Sequence, residues 1–85
     1  MPYFVYMLLS KHKDKFISYV GYSSNLKNRL SLHNSSKGAK FTKGKKWVII
    51  YHKKYLNKSD ALKDEYKLKK DYKLRCKIKN KFIKK

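Results

Sequence analysis

Arg29 and His33 stand four residues apart in Asn25-Leu-Lys-Asn-Arg-Leu-Ser-Leu-His33, a spacing that places a guanidinium and an imidazole on one face of a helix. Leu26, three residues before Arg29, marks that side as the inward one, so neither polar group points straight to solvent. The chain holds 22 Lys but only 2 Arg, which makes an arginine here a candidate for work that a point charge does badly. A forked guanidinium grips a phosphate or carboxylate through two parallel hydrogen bonds. The plain alternative is a snorkelling arginine beside a hydrogen-bonded boundary histidine.

Glu65 raises the same question with the opposite charge. Ala61, Glu65, Leu68 and Tyr72 recur at i, i+4, i+7 and i+11, which puts the only glutamate of the chain on an otherwise apolar helical stripe. A carboxylate there needs a partner, because an unpaired one costs several kcal/mol or stays protonated. That partner is a lysine, an arginine or a metal ion, with an ion pair to one of the many lysines the plain alternative. Tyr6 and Tyr19 are each set among apolar residues, where a phenol usually packs in the core and finds one hydrogen bond.

These residues need a scaffold, and 85 residues make one small domain with a modest core. Apolar residues reach 41%, including eight Tyr, four Phe and one Trp, too much bulky side chain for a disordered polybasic tail. The net charge of +19, with five acids in all, points to a polyanionic partner, and phosphate backbones are the commonest. Lysine-biased composition explains part of that total but not the scarcity of acids. Cys76 is alone, so no internal disulfide is expected, and with His12, His33 and His52 it offers no zinc-ligand spacing. A reducing, cytoplasmic setting is the expectation. The apolar run Tyr3 to Leu9 has no basic region before it and is too short for a bilayer, so neither a signal peptide nor a membrane anchor is expected.

Tyr3 to Leu9 is apolar or aromatic on both alternating faces, as a central strand covered on two sides would be. Lys11 to Lys15 reads as a turn, and Phe16 to Tyr22 as the antiparallel partner strand. Ser24 or Asn25 can cap a helix running to about Asn34. Trp47 to Tyr51 reads as a third strand by its β-branched and aromatic content. Asn57 or Ser59 opens a second helix reaching about Lys70, and Lys73 to Ile83 forms a third with Leu74, Ile78 and Phe82 in one stripe. The order β-β-α-β-α-α predicts an α+β fold: a three-stranded antiparallel sheet, order 2-1-3, flanked by helices.

In that order, Phe4-Val-Tyr6, Tyr19-Val-Gly21, Arg29, His33 and Glu65 resemble the GIY-YIG nuclease superfamily. The likeness covers residues 3 to 72 and is closest to the small stand-alone URI or UPF0213-like endonucleases, in which Lys37-Gly-Ala-Lys-Phe-Thr42 also has a counterpart. The first motif departs from the pattern by carrying Phe4 and Val5 before its tyrosine, and Asn80 is the candidate match for the family's distal asparagine. The resemblance implies a DNA endonuclease of low sequence specificity, in DNA repair, recombination or processing, using Mg²⁺ or Mn²⁺ held by Glu65. It implies Arg29 as the clamp on the scissile phosphate, and Tyr19, Tyr6 and His33 as the groups that activate and orient water. Tyr19 is the preferred proton acceptor, and which of the three moves the proton stays open. Cationic neighbours would lower the phenol pKa values toward usefulness. Gly21 would let the backbone leave the strand without crowding the phosphate.

Lys37, Lys40, Lys43, Lys45 and Lys46, with the lysine-dense C-terminal helices, would hold DNA by its phosphates, with little base information. A monomer with no membrane and no small-molecule substrate is expected, and the 85 residues leave no length for an added DNA-binding domain. The main alternative is a non-catalytic basic nucleic-acid-binding module. A third is a surface helix on an anionic membrane or acidic protein, built on the Leu74, Ile78 and Phe82 stripe, which ranks below core packing of that stripe.

Overall fold

Strand β1, Tyr3–His12, runs through the middle of the molecule, with Val5, Met7 and Leu8 wholly inaccessible to solvent in the computed structural model, which describes residues 2–35 and 44–84. It pairs antiparallel with β2, Lys15–Ser23, on one side and β3, Val48–Tyr55, on the other, giving the order β2-β1-β3. Three helices complete the chain: α1, Leu26–Asn34, α2, Lys58–Lys70, and α3, Tyr72–Ile83. The fold is the α+β arrangement expected from the pattern of apolar residues.

Alternation along β1 divides the core in two. Val5 and Met7, with Val20 of β2, face Ala61 and Leu68 of α2, and Ile78 of α3 packs against the same cluster. Tyr6 and Leu8 face the other way, toward Trp47, with Leu26 and Leu30 of α1 packed around them. The sheet is thus sandwiched between α1 on one face and α2 with α3 on the other.

Asn25 and Asn57 start their helices in the ordinary way, each accepting a hydrogen bond from a backbone N–H three residues on, at Asn28 and Asp60. Asp71 ends α2 and caps α3, accepting from the Leu74 N–H. That break changes the expected second stripe. Ala61 and Leu68 are buried, but Tyr72 opens α3 and is 68% exposed, so the inward face of α2 ends before it. The second arginine has a place at this joint: Arg75 Nη1 donates to the carbonyls of Leu68 and Lys69, the last turn of α2.

Three boundaries differ from the sequence pattern. The hairpin strands continue to a His12–Lys15 pair around a turn at Lys13, whose φ is 57°, because ladder hydrogen bonds extend past the apolar residues. Strand β3 runs on to Tyr55 for the same reason, with a register shift opposite Met7 and Leu8. Trp47 stands just before β3. Its N–H donates to Asn34 Oδ1 at 2.6 Å and its carbonyl accepts from Asn34 Nδ2 at 3.1 Å, so a side chain takes the role of a neighbouring strand. On α3, Leu74, Phe82 and Ile83 remain about two-fifths exposed, and with Ile50, Tyr51 and Ile78 the first two line a cavity of about 440 Å³. The stripe is therefore only half absorbed by the core.

Candidate active site

The hairpin register sets Tyr6 opposite Gly21 and Leu8 opposite Tyr19, so both phenols stand on the face of the sheet that carries α1. Gly21 fits this arrangement for a reason the sequence did not suggest. It lies within β2 rather than at its end, and a Cβ placed on it would come within 2.5 Å of the Tyr6 hydroxyl oxygen. Any side chain there must drive the buried phenol from its position. The glycine makes room for Tyr6 to cross its partner strand.

The Tyr6 hydroxyl is the centre of the cluster. It lies 3.0 Å from His33 Nε2, and a phenol oxygen can donate or accept, so either imidazole tautomer satisfies the contact. His33, the one charged-type side chain of α1 that is fully buried, also packs against Tyr19, with ring centroids 5.1 Å apart. Trp47 closes the other side of Tyr19 at 6.4 Å. Arg29, half-buried one helical turn before His33, stands beside the Tyr6 hydroxyl, and its buried Nε has no hydrogen-bond partner among the described residues. An unpartnered donor of that kind is a place for an incoming acceptor.

Burial pushes the Tyr6 phenol above its ordinary value of 10.0, against the opposing pull of Arg29, with Tyr19 and Glu65 adding to the rise. At Tyr6 desolvation therefore outweighs the guanidinium. Burial, and then the Arg29 charge, lower His33 below 6.5, so the imidazole is neutral at physiological pH.

A pH dependence of stability follows. The unfolded chain takes up a proton on His33 near pH 6.5 while the folded chain resists it, so this contribution to stability is lost as pH falls below 6.5. The melting temperature is expected to drop between pH 7.5 and 5.5, and to drop less in His33→Gln. Identical pH profiles for the two proteins would contradict the buried neutral histidine.

Glu65 comes from α2, on the other face of the sheet, yet its negative charge contributes to the rise at Tyr6. Its side chain is 15% exposed and lies 3.7 Å from Lys69 Nζ, which is 51% exposed. The lysine partner anticipated for a carboxylate on this stripe is thus present, one turn further along the helix. Lys69 also lines a cavity of about 300 Å³, with Ser18, Tyr19 and Val20 of β2 and Arg75. Tyr6, Tyr19, Arg29 and His33 are in one cluster, while Glu65 lies on the other face of the sheet and reaches Tyr6 only through its charge. Lys45 is half-buried and Lys46 exposed, just before Trp47, while Lys37, Lys40 and Lys43 lie outside the described residues. Asn80 is exposed on α3.

No group of three or more His, Cys, Asp or Glu side chains that could cage a metal occurs among the described residues. A single, slightly exposed carboxylate is instead the kind of ligand used by a hard cation that retains most of its waters, as Mg²⁺ does. The donor set therefore fits such an ion at Glu65. No helix among the described residues is long and apolar enough to cross a membrane. Sequence reasoning missed Trp47 and Asn34, which wall and brace the Tyr19 side, and Lys69, the counter-ion of Glu65. Only the last had a legible signal, the i, i+4 spacing of Glu65 and Lys69.

Comparison with known proteins gives a consistent picture. The GIY-YIG catalytic domain family matches residues 2–80. A UPF0213 protein of Oceanobacillus iheyensis is 41% identical over 65 residues, covering 75% of this chain and 74% of the relative. A UPF0213 protein of Staphylococcus haemolyticus is 38% identical over 65 residues, covering 75% of this chain and 78% of the relative. One from Clostridium perfringens is 38% identical over 66 residues, 76% of this chain and 70% of the relative. No solved structure matches significantly.

Proposed function

The chain belongs to the GIY-YIG catalytic-domain family, and from that premise we propose that it is a divalent-metal-dependent endonuclease that hydrolyses DNA phosphodiester bonds with low sequence specificity. The observation that carries the reading is the Tyr6 hydroxyl, held 3.0 Å from a buried neutral His33, with Arg29 beside it and the Glu65 charge within range. Nothing about packing alone calls for three such groups around one phenol.

Glu65 would hold Mg²⁺ or Mn²⁺, which when bound stabilises negative charge on phosphate and leaving oxygens. Arg29 binds the scissile phosphate, its planar fork fixing the orientation of the phosphorus for attack. Tyr19 is the phenol that water can reach, since it is half-exposed while Tyr6 and His33 are buried. Tyr19 therefore takes the role of proton acceptor from the attacking water. Tyr6 and His33 fix its surroundings, and His33, kept neutral, retains a nitrogen lone pair that can accept a proton or a hydrogen bond.

The net charge of +19 supplies affinity for the polyanion, with Lys37, Lys40, Lys43, Lys45 and Lys46, all before Trp47 in the chain, as the candidate contacts. Their contacts go to phosphates, which accounts for the low specificity. We read the chain as a single-domain, monomeric, cytoplasmic protein of DNA repair, recombination or processing.

The test is incubation with nicked, branched, single-stranded and duplex DNA in Mg²⁺, Mn²⁺ or EDTA. Cleavage that needs metal and is lost in EDTA is the expected result. Binding without cleavage of any of these substrates would leave a non-catalytic nucleic-acid-binding module.

A further inference from the structure

The cavity on the β2 edge carries, beside Tyr19, two cations that the proposed reaction does not use. It is lined by Ser18, Tyr19 and Val20 of β2 and by Lys69 and Arg75. Both Arg75 hydrogen bonds to the α2 carbonyls use Nη1, which leaves the other guanidinium nitrogens for a ligand. The Lys69 ammonium is half-exposed and only loosely tied, 3.7 Å from Glu65. The space of about 300 Å³ is open to solvent and shares Tyr19 with the cluster around Tyr6.

From this we propose that the cavity is a second phosphate site, accepting a backbone phosphate next to the one cleaved, with Lys69 and Arg75 as its cationic lining. The inference rests on the nuclease reading for the word "next", but its binding chemistry does not. Two cations lining a cleft that holds no carboxylate among the described residues suit a tetrahedral anion rather than a cation. Lys69 has a second consequence: it lies between Glu65 and the cavity, so neutralising the carboxylate frees the ammonium for phosphate. A substrate seated there is held on both sides of Tyr19, fixing the register of the strand against the catalytic groups.

The test is equilibrium DNA binding without added divalent metal, so that nothing is cut, measured as a function of salt. Losing one phosphate contact reduces the slope of log affinity against log salt by about 0.7–0.9. Lys69→Gln is expected to show that reduction and Lys69→Arg to keep the wild-type slope. Lys13→Gln, at the far hairpin turn, serves as the charge control and is expected to keep it too. An unchanged slope in Lys69→Gln, or an equal fall in Lys13→Gln, would overturn the site. Titration with inorganic pyrophosphate, followed by NMR, locates the contact: the Ser18, Tyr19 and Val20 amides should shift in the wild type and not in Lys69→Gln. Equal shifts in both would also overturn it. Failure of wild-type protein to cut DNA would instead count against the nuclease, leaving both of these readouts intact.

Discussion

Glu65→Gln is expected to keep DNA binding within about twofold of wild type while lowering cleavage by at least about 10³-fold. The reasoning is electrostatic. The amide keeps the size and shape of the side chain but cannot hold a hard divalent cation, and charge stabilisation by such an ion is worth several kcal/mol in the transition state. At 1.36 kcal/mol per tenfold, that loss is at least about three orders of magnitude. Affinity, by contrast, resides in the lysines, and removing one negative charge from a chain of +19 should if anything tighten it. The fold should tolerate the change. Glu65 is 15% exposed, and its Lys69 partner is 51% exposed and 3.7 Å away, a pair of the kind that adds little to stability. Filter binding and a gel cleavage assay on the same preparation check both halves. Parallel loss of binding and cleavage would contradict the assigned role.

Arg29→Lys is the second large effect. Charge is conserved, yet cleavage should fall by about 10²–10³-fold, the range seen when one oriented donor to a developing anion is removed. Arg29 is half-buried beside Tyr6, with an Nε that has no partner among the described residues. An ammonium on a flexible stem supplies neither the fork nor that donor. The variant also perturbs its neighbours in a readable way, since the Arg29 charge acts on both Tyr6 and His33. Steady-state kinetics would show a fall in kcat with KM little changed. Near-normal turnover would mean that any cation serves at this position.

The fold was largely legible because its signals are local. An all-apolar β1 had to be central, since a strand with Val5, Met7 and Leu8 can bury both faces only between two layers. Asn25 and Asn57 announced their helices by cap chemistry. What stayed hidden depended on contacts between distant segments. Trp47 looked like the first residue of β3 because of its type, and only the Asn34 side chain, 13 residues away, explains why it stands outside the ladder. The apolar pattern ends the third strand at Tyr51, yet it continues through His52 to Tyr55, since the polar residues of an edge strand pair by backbone rather than by burial.

The candidate site was legible in part for a related reason. Helical spacing sets Arg29 with His33 and a short turn pairs the strands of Tyr6 and Tyr19, although their register emerges only in the folded sheet, so these four groups follow in part from local geometry. Glu65 does not. Its α2 packs on the opposite face of the sheet from α1, and its influence on Tyr6 emerges only once the layers are assembled. The direction of the Tyr6 shift was hidden as well. Cations near a phenol argue for a lower pKa, but the degree of burial decides the balance, and burial belongs to the folded molecule.

The arrangement is most directly tested by anomalous diffraction from crystals soaked in Mn²⁺. The account predicts one strong peak within coordinating distance of the Glu65 carboxylate, with Lys69 turned away from it and the ion on the side facing Tyr6 and Tyr19. A well-ordered Glu65 with no peak beside it, still paired to Lys69 at saturating Mn²⁺, would contradict it.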